Sequence, residues 1–335
     1  MSDLSLPAQG WMPIRVYWRD GQPWLDWVHL GEQRFVDPFF DQTVRSCLRK
    51  PFNLVFPQMT PLAAIEAWLG REPAPDPTGF IFHMSRCGST LVAQMLAALP
   101  QNIVLSEAPP IDAVLDTKYR AADVSDEMRL AWLRWLVSAM TYRRRAVEQH
   151  AFIKFDCWHI LDLPLIRRAF PKVPWIFLYR EPVEVLTSQL KQRGAYLVPG
   201  MVSPGRFGID PSAASAMPTE EYCARVLAAI CKAGLSHANE HAGLLVNYSE
   251  LPAAVDTILD HCGVACTSAD RARMADKAAF DAKTPSLYYS PDAAAKRQAA
   301  SAAAQAAAAS WLADVYRDLE AARARQPSAN APAID

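Results

Sequence analysis

Two short stretches of this chain combine cations, hydroxyls and a glycine in patterns that suit an anion. The first is Ser85-Arg86-Cys87-Gly88-Ser89-Thr90, set between an apolar run, Phe80 to Met84, and Leu91, Val92, Met95, Leu96 and Leu99 at helical spacing. A buried strand, a small-residue turn and a helix start offer backbone N–H groups and a positive dipole end to a phosphate. Gly88 allows close approach of the main chain, and Ser89 and Thr90 add hydroxyl donors. The loop lacks the G-x-x-x-x-G-K-[ST] order of triphosphate-binding loops, since Arg86 precedes the glycine. By itself it reads either as a phosphate cradle or as an ordinary polar helix start. The second stretch is a buried strand from Val173 that ends in Arg180, then Pro182 in a first helical turn, and Ser188 eight residues after Arg180, about two turns on.

Together, strand-[S-R-C-G-S-T]-helix and strand-R-x-P-x-x-x-x-x-S resemble the two nucleotide signatures of sulfotransferases that use 3′-phosphoadenosine 5′-phosphosulfate (PAPS). The resemblance is to the bacterial type, with a P-loop fold. It implies that Ser85, Arg86, Cys87, Gly88, Ser89 and Thr90 cradle the 5′-phosphosulfate, and that Arg180 and Ser188 hold the 3′-phosphate. Arg86 stands where many members have Lys, and Cys87 where Ser is usual; Arg keeps the charge and adds a fork suited to an oxyanion. The match is firm from about Phe80 to Leu190. Family members often bring a basic C-terminal loop over the 3′-phosphate, which points to Lys296 and Arg297, although the family's R-K-G motif is missing and a solvated helix start fits them as well.

Sulfuryl transfer, like phosphoryl transfer, depends on positioning and on stabilising charge, and it does not oblige a metal. It needs cations on the leaving phosphate, a donor to the bridging oxygen and a base for the acceptor's proton. Arg86 is the loop's cation. Glu107 follows the apolar run Ile103-Val-Leu105, and it is similar to the Ser-Glu carboxylate proposed as base in many bacterial, carbohydrate and tyrosyl-protein sulfotransferases. Asp156 follows Phe152-Ile-Lys154-Phe155 and matches the position of the catalytic His in cytosolic members. Glu107 is preferred, because its Pro-rich apolar setting should raise its pKa; Asp156 is the alternative. Lys154, inside an apolar run, must face an anion or find a partner: it is placed to contact the bridging oxygen or the acceptor, and a pair with Asp156 on one face of the strand is the alternative. His83 and His159 read as packed side chains rather than bases.

The whole chain of 335 residues is 51% hydrophobic and 21% charged, with a net charge of −1. That balance argues against a broad nucleic-acid footprint and leaves room for local basic pockets. Seven cysteines with no C-x-x-C pair fit reduced thiols better than disulfides or zinc, so the expectation is a cytoplasmic enzyme without a metal. Met1-Ser-Asp-Leu-Ser lacks the order of a signal peptide, and no apolar run reaches the length of a membrane span.

From residue 80, strands (80–84, 102–106, 151–155, 174–179, 243–248) alternate with helices (89–99, 126–148, 160–169, 182–193, 219–240, 249–262), which predicts an α/β fold: a parallel sheet flanked by helices. Both signatures and both carboxylates fall at strand C-terminal ends, where such sheets bind ligands. Residues 1–79 read as an N-terminal appendage with a β-hairpin turning near Asp20-Gly21, helices at 39–48 and 61–69, and a Pro-rich connector at 71–77. Its aromatic residues read as core packing, with an acceptor site or a homodimer contact as alternatives. Residues 80–325 form the main domain and 326–335 a flexible tail. The Gly- and Pro-rich stretch 194–218 reads as a long loop, either substrate-covering or a surface excursion, and 292–325 as one long helix. The expected activity is transfer from PAPS to a hydroxyl or amine on a small-molecule or carbohydrate acceptor. A nucleotide-dependent kinase on the same scaffold is the alternative, and a non-catalytic binding module is the third reading.

Overall fold

In the computed structural model, residues 10–69, 74–120, 124–202, 204–238 and 243–326 are described. The expectations for the first residues, for part of the Pro-rich connector and for the tail beyond residue 326 lie outside them. Eight strands are present among the described residues: β1 (Trp11–Arg19), β2 (Gln22–His29), β3 (Gln58–Pro61), β4 (Gly79–His83), β5 (Asn102–Ser106), β6 (His150–Lys154), β7 (Trp175–Tyr179) and β8 (Gly243–Asn247). The first three form an antiparallel sheet, and the other five a parallel sheet in the order β5-β6-β4-β7-β8. The parallel sheet flanked by helices is the fold that the alternating pattern predicts. Every residue of β4, β5 and β7 is buried, which is why these strands read as continuous apolar runs rather than alternating ones.

The chain divides into two compact units, each discontinuous in sequence. One comprises residues up to Phe80 with Ala93–Val173 and Ser268–Lys277; the other comprises Ile81–Val92, Pro174–Thr267 and the chain from Ala278.

In the first unit the hairpin turns through Asp20 (φ 51°) and Gly21 (φ 73°), the two positive φ values that a tight two-residue hairpin turn demands. Strand β3 is an addition to the predicted elements; with Pro61 at its end, it is too short to show an alternating pattern, and Trp27 Nε1 binds Thr60 Oγ1 across the pairing at 2.9 Å. Met12, Leu25, Trp27 and Val28 are buried, while Trp18 stays 41% exposed and meets Trp132 edge-on. Phe80 stacks edge-on with Phe155 and Phe170, which closes the core beside β6. The helix expected over 126–148 stops at Thr141. The buried Glu148 carboxylate accepts from the amides of Arg144 (2.7 Å) and Arg145 (3.0 Å), so a side chain captures the N–H groups that the helix would have used.

In the second unit, β7 and β8 pair in register from Trp175↔Gly243 to Tyr179↔Asn247. The long helix expected over 292–325 is instead three: Ala293–Gln298, Ala302–Trp311 and Ala313–Ala324. Ser301 causes the first restart by capping Ala304 N at 3.1 Å, a choice that outweighs the alanine propensity around it. The last helix secures the sheet's C-terminal edge: Glu320 accepts from Tyr179 Oη (2.5 Å) and Asn247 Nδ2 (2.8 Å), and Arg323 donates to Glu250 (2.8 Å). The stretch 194–218 is also more ordered than expected, with helical turns at Ala195–Leu197, Pro204–Phe207 and Pro211–Ala216. Its prolines and glycines punctuate these turns, and Leu197, Phe207, Ile209 and Ala214 are buried.

Candidate functional site

The second unit carries the loop after β4, the arginine after β7 and the basic C-terminal residues. Three of the four residues Ser85, Arg86, Cys87 and Gly88 have positive φ (78°, 51° and 84° at 85, 86 and 88). For a non-glycine residue such backbone costs on the order of 1–3 kcal/mol, so the surroundings must hold it. They do so at both ends. His83 Nδ1 accepts from Ser85 N at 3.0 Å, and Gln189 Nε2 donates to Ser85 Oγ at 2.8 Å. Met84 N and Cys87 Sγ both donate to the Leu178 carbonyl of β7, at 3.0 and 3.1 Å. The Cys87 thiol is therefore turned inward, and what the loop can present at that position is main chain. The helix Ser89–Ala97 begins directly behind, with Val92 N on the Gly88 carbonyl at 3.1 Å. Its first-turn N–H groups have no acceptor within the helix. Ser89 and Thr90 are buried in that turn.

Gly88 is required twice over. Its φ is +84°, and a Cβ there would lie 2.6 Å from Leu251 Cδ1 and 2.8 Å from Tyr248 Cδ2. Gly88→Ala is expected to destabilise the protein by about 1–3 kcal/mol, read as a lowered melting temperature. An unchanged melting curve would show that the loop relaxes freely.

Arg180 follows β7 directly and is 5% exposed at its side chain. It donates to Glu184 at 2.6 Å and to Asp292 at 3.0 Å, and its guanidinium lies 3.9 Å from the centre of the Tyr248 ring. Glu184, 4% exposed at its side chain, also binds Arg297, and Asp292 binds Lys296 at 2.7 Å. Three cations thus surround two carboxylates, which leaves a surplus of one positive charge. Burial pushes the Asp292 carboxyl up, but hydrogen bonds from Lys296 and Arg180 outweigh it and hold the group below its ordinary value. Ser188 is half-buried on the helix Pro182–Lys191 that starts beside Arg180. Arg86 reaches the opposite end of that helix, where it donates to the Gln192 carbonyl at 2.7 Å. The left-handed backbone at Arg86 sends its side chain there, so the loop meets Arg180 through Gly88 and their common neighbour Tyr248 rather than through Arg86.

The first unit holds the carboxylates. Glu107, at φ 54°, follows β5, and its N–H donates to the Lys154 carbonyl at 2.7 Å. The Lys154 ammonium, fully buried, is hydrogen-bonded to the Glu107 carboxylate and sits 5.2 Å from the centre of the Phe39 ring. Lys154 therefore finds its counterion on the neighbouring strand's end rather than at Asp156. Asp156 occupies the N-cap position of the short helix Cys157–Asp162, and its side chain makes no capping hydrogen bond there. Desolvation is the main cause that pushes its carboxyl from 3.8 up to about 7; Glu107 and Asp112 add to the rise, while His159 and Lys154 oppose it. A raised carboxyl pKa, the property for which Glu107 was preferred, is thus found at Asp156. His159, 1% exposed, places Nε2 2.8 Å from Asp112 Oδ1.

The raised Asp156 pKa has a consequence for stability. The folded protein keeps a proton there at pH values where the unfolded chain releases it. The stability this provides is complete below pH 3.8 and is lost as pH rises through about 7. Asp156→Asn, which cannot ionise, is expected to flatten the fall in melting temperature between pH 5 and pH 8. An equal fall in both proteins would remove Asp156 as its source.

Sequence reasoning missed Glu184, Tyr248, Asp292 and Gln189. Only Glu184 carried a local signal, an acidic residue at i+4 from Arg180. Gln189 directly follows Ser188 and Asp292 lies four residues before Lys296, but their partners Ser85 and Arg180 are more than 100 residues away, and Tyr248 comes from a separate segment.

A parallel sheet flanked by helices, with a strained glycine loop and a buried arginine at its strand ends, defines an α/β protein. The sequence matches the Sulfotransferase family over residues 77–268, more than half of its length, and the chain belongs to that family. It is therefore a transferase that moves a sulfuryl group from a sulfate donor to an acceptor. No curated protein matches it. Solved structures similar to it include sulfotransferase STF9 from Mycobacterium avium (14% identity, TM-score 0.41, 74% of this chain and 80% of that one). Others are the sulfotransferase domain of the Synechococcus PCC 7002 olefin synthase (18%, 0.41, 76% and 97%) and a sulfotransferase from Alicyclobacillus acidocaldarius (18%, 0.39, 74% and 99%).

Proposed function

We propose that this sulfotransferase uses PAPS as donor and a hydroxyl or amine of a small-molecule or carbohydrate as acceptor. The observation that carries this reading is the meeting of the two signatures at Tyr248, with Gly88 against the edge of the ring and Arg180 over its face. The residues present fit a bisphosphorylated nucleoside: a main-chain cradle at 85–90 and a cluster of three cations with a surplus positive charge. The loop N–H groups, Ser89 and Thr90 would hold the 5′-phosphosulfate, and Arg180, Ser188, Lys296 and Arg297 the 3′-phosphate. Bound PAPS supplies an activated sulfuryl group on a phosphate leaving group. The protein's part is to orient that phosphate, compensate its charge and take up the acceptor's proton on a carboxylate, Glu107 or Asp156, with no metal required.

Adenosine 3′,5′-bisphosphate tests the reading. At about 100 times its dissociation constant it should add about 2.7 kcal/mol, a rise in melting temperature of roughly 5–10 °C. A flat response to the bisphosphate, with a rise for ATP and magnesium, would favour the kinase alternative. Reduced thiols support a cytoplasmic location; among the described residues, no helix is long and apolar enough to cross a membrane.

A further inference from the structure

We infer that Asp156, His159 and Asp112 form a proton relay in which Asp156 takes the acceptor's proton, His159 shares it, and Asp112 orients the imidazole. The inference rests on the sulfotransferase reading and goes beyond it, since that reading leaves the base open.

The geometry assigns the tautomer. Asp112 Oδ1 receives both Trp158 Nε1, at 3.0 Å, and His159 Nε2, at 2.8 Å. A carboxylate has only acceptors to offer, so His159 donates from Nε2 and leaves the Nδ1 lone pair bare when neutral. Nδ1 is buried, makes no hydrogen bond, and points toward Asp156 Oδ2 at 3.8 Å. A buried nitrogen without a partner costs free energy, and its retention next to a titrating carboxyl calls for a use. The three-residue spacing of Asp156 and His159 on a 3₁₀ turn places both on one face, with His159 N on the Asp156 carbonyl at 3.0 Å. Phe155 and Trp158 wall the imidazole, with ring centres 6.0 and 5.5 Å away.

The two ring nitrogens face different carboxylates, which suits a relay better than a single cation bound by all three groups. Asp156 also has the better protonation behaviour of the two candidate bases. A group that titrates at about 7 is half deprotonated at neutral pH and still able to accept a proton, whereas Glu107 is engaged by a buried ammonium. Glu107, Asp112, Lys154 and His159 are the charged and titratable groups that act on Asp156. In the transfer step the acceptor's oxygen–hydrogen or nitrogen–hydrogen bond breaks as its bond to sulfur forms. The proton passes to the Asp156 carboxylate and is shared with His159 Nδ1, and the electron pair of the broken sulfur–oxygen bond leaves on the nucleotide phosphate.

Nuclear magnetic resonance of the full chain tests the relay without knowledge of the acceptor. With ¹⁵N-labelled histidine, the unmutated protein should show the Nε2–H tautomer at His159; an Nδ1–H tautomer overturns the proposal. With ¹³C-labelled aspartate, the Asp156 carboxyl should titrate near 7, and in His159→Gln the midpoint should move up, because the imidazolium that forms when the proton is shared, and that favours the Asp156 carboxylate, is gone. A midpoint that stays in place means a structural histidine and overturns the proposal. A melting temperature raised by Mn²⁺ in the unmutated protein and not in His159→Gln would assign the cluster to a divalent cation and overturn it as well. Retained stabilisation of His159→Gln by adenosine 3′,5′-bisphosphate separates failure of the relay from failure of the donor assignment.

Discussion

Arg180→Ala is expected to yield a protein whose melting temperature no longer responds to adenosine 3′,5′-bisphosphate, while the unmutated chain should gain roughly 5–10 °C. The guanidinium is the one cation of the cluster that is buried, stacked on an aromatic ring and already oriented by two carboxylates. A 3′-phosphate bound there would meet a fork in place and be spared the cost of ordering a long side chain. The same substitution also lowers stability in the absence of ligand, because Glu184 is left buried with Arg297 as its remaining cation; breaking a buried pair in this way costs about 3–5 kcal/mol. Arg297→Ala separates the two effects. That side chain is 56% exposed, so its loss should weaken nucleotide binding without a comparable fall in stability. If Arg180→Ala were stabilised by the bisphosphate as strongly as the unmutated protein, the 3′-phosphate assignment would fail.

The second large effect is expected at Glu107. Lys154 has no solvent-exposed surface, and the Glu107 carboxylate is the acid it is paired with, so Glu107→Gln strands an ammonium in the core of the first unit. About 3–5 kcal/mol should be lost, a fall of roughly 6–20 °C in melting temperature. The double variant Glu107→Gln/Lys154→Met removes both charges and should recover most of that loss. Turnover then distinguishes the roles. Activity regained with stability makes Glu107 and Lys154 a structural pair; activity still lost in a restored fold places Glu107 or Lys154 in the chemistry. The nucleotide-induced rise in melting temperature should survive in both variants, since neither residue belongs to the unit that carries the loop and Arg180.

Much of this protein was legible along the chain because the informative contacts are local. The five strands of the parallel sheet are runs of about five residues, and both signatures lie within single strand–turn–helix segments, so their resemblance to the family can be read from the sequence. The broken C-terminal helix and the shortened helix at Thr141 escaped for an opposite reason. Each depends on one hydroxyl or carboxylate, Ser301 or Glu148, whose preference for a backbone N–H overrides the helix propensity of its neighbours.

What tertiary structure alone decided is who neutralises whom. Lys154 sits two residues from Asp156 in sequence yet pairs with Glu107, 47 residues away, because the parallel pairing of β5 with β6 brings Ser106 opposite Lys154 and leaves Glu107 at the strand's end. Arg180 finds Asp292 112 residues on and Tyr248 on another strand's end, where no periodicity points. A buried charge seeks the nearest compensating group in space, and sequence distance has no bearing on that search. Residue types therefore announced that an anion is handled here, whereas the division of labour among the carboxylates was set by the folded sheet.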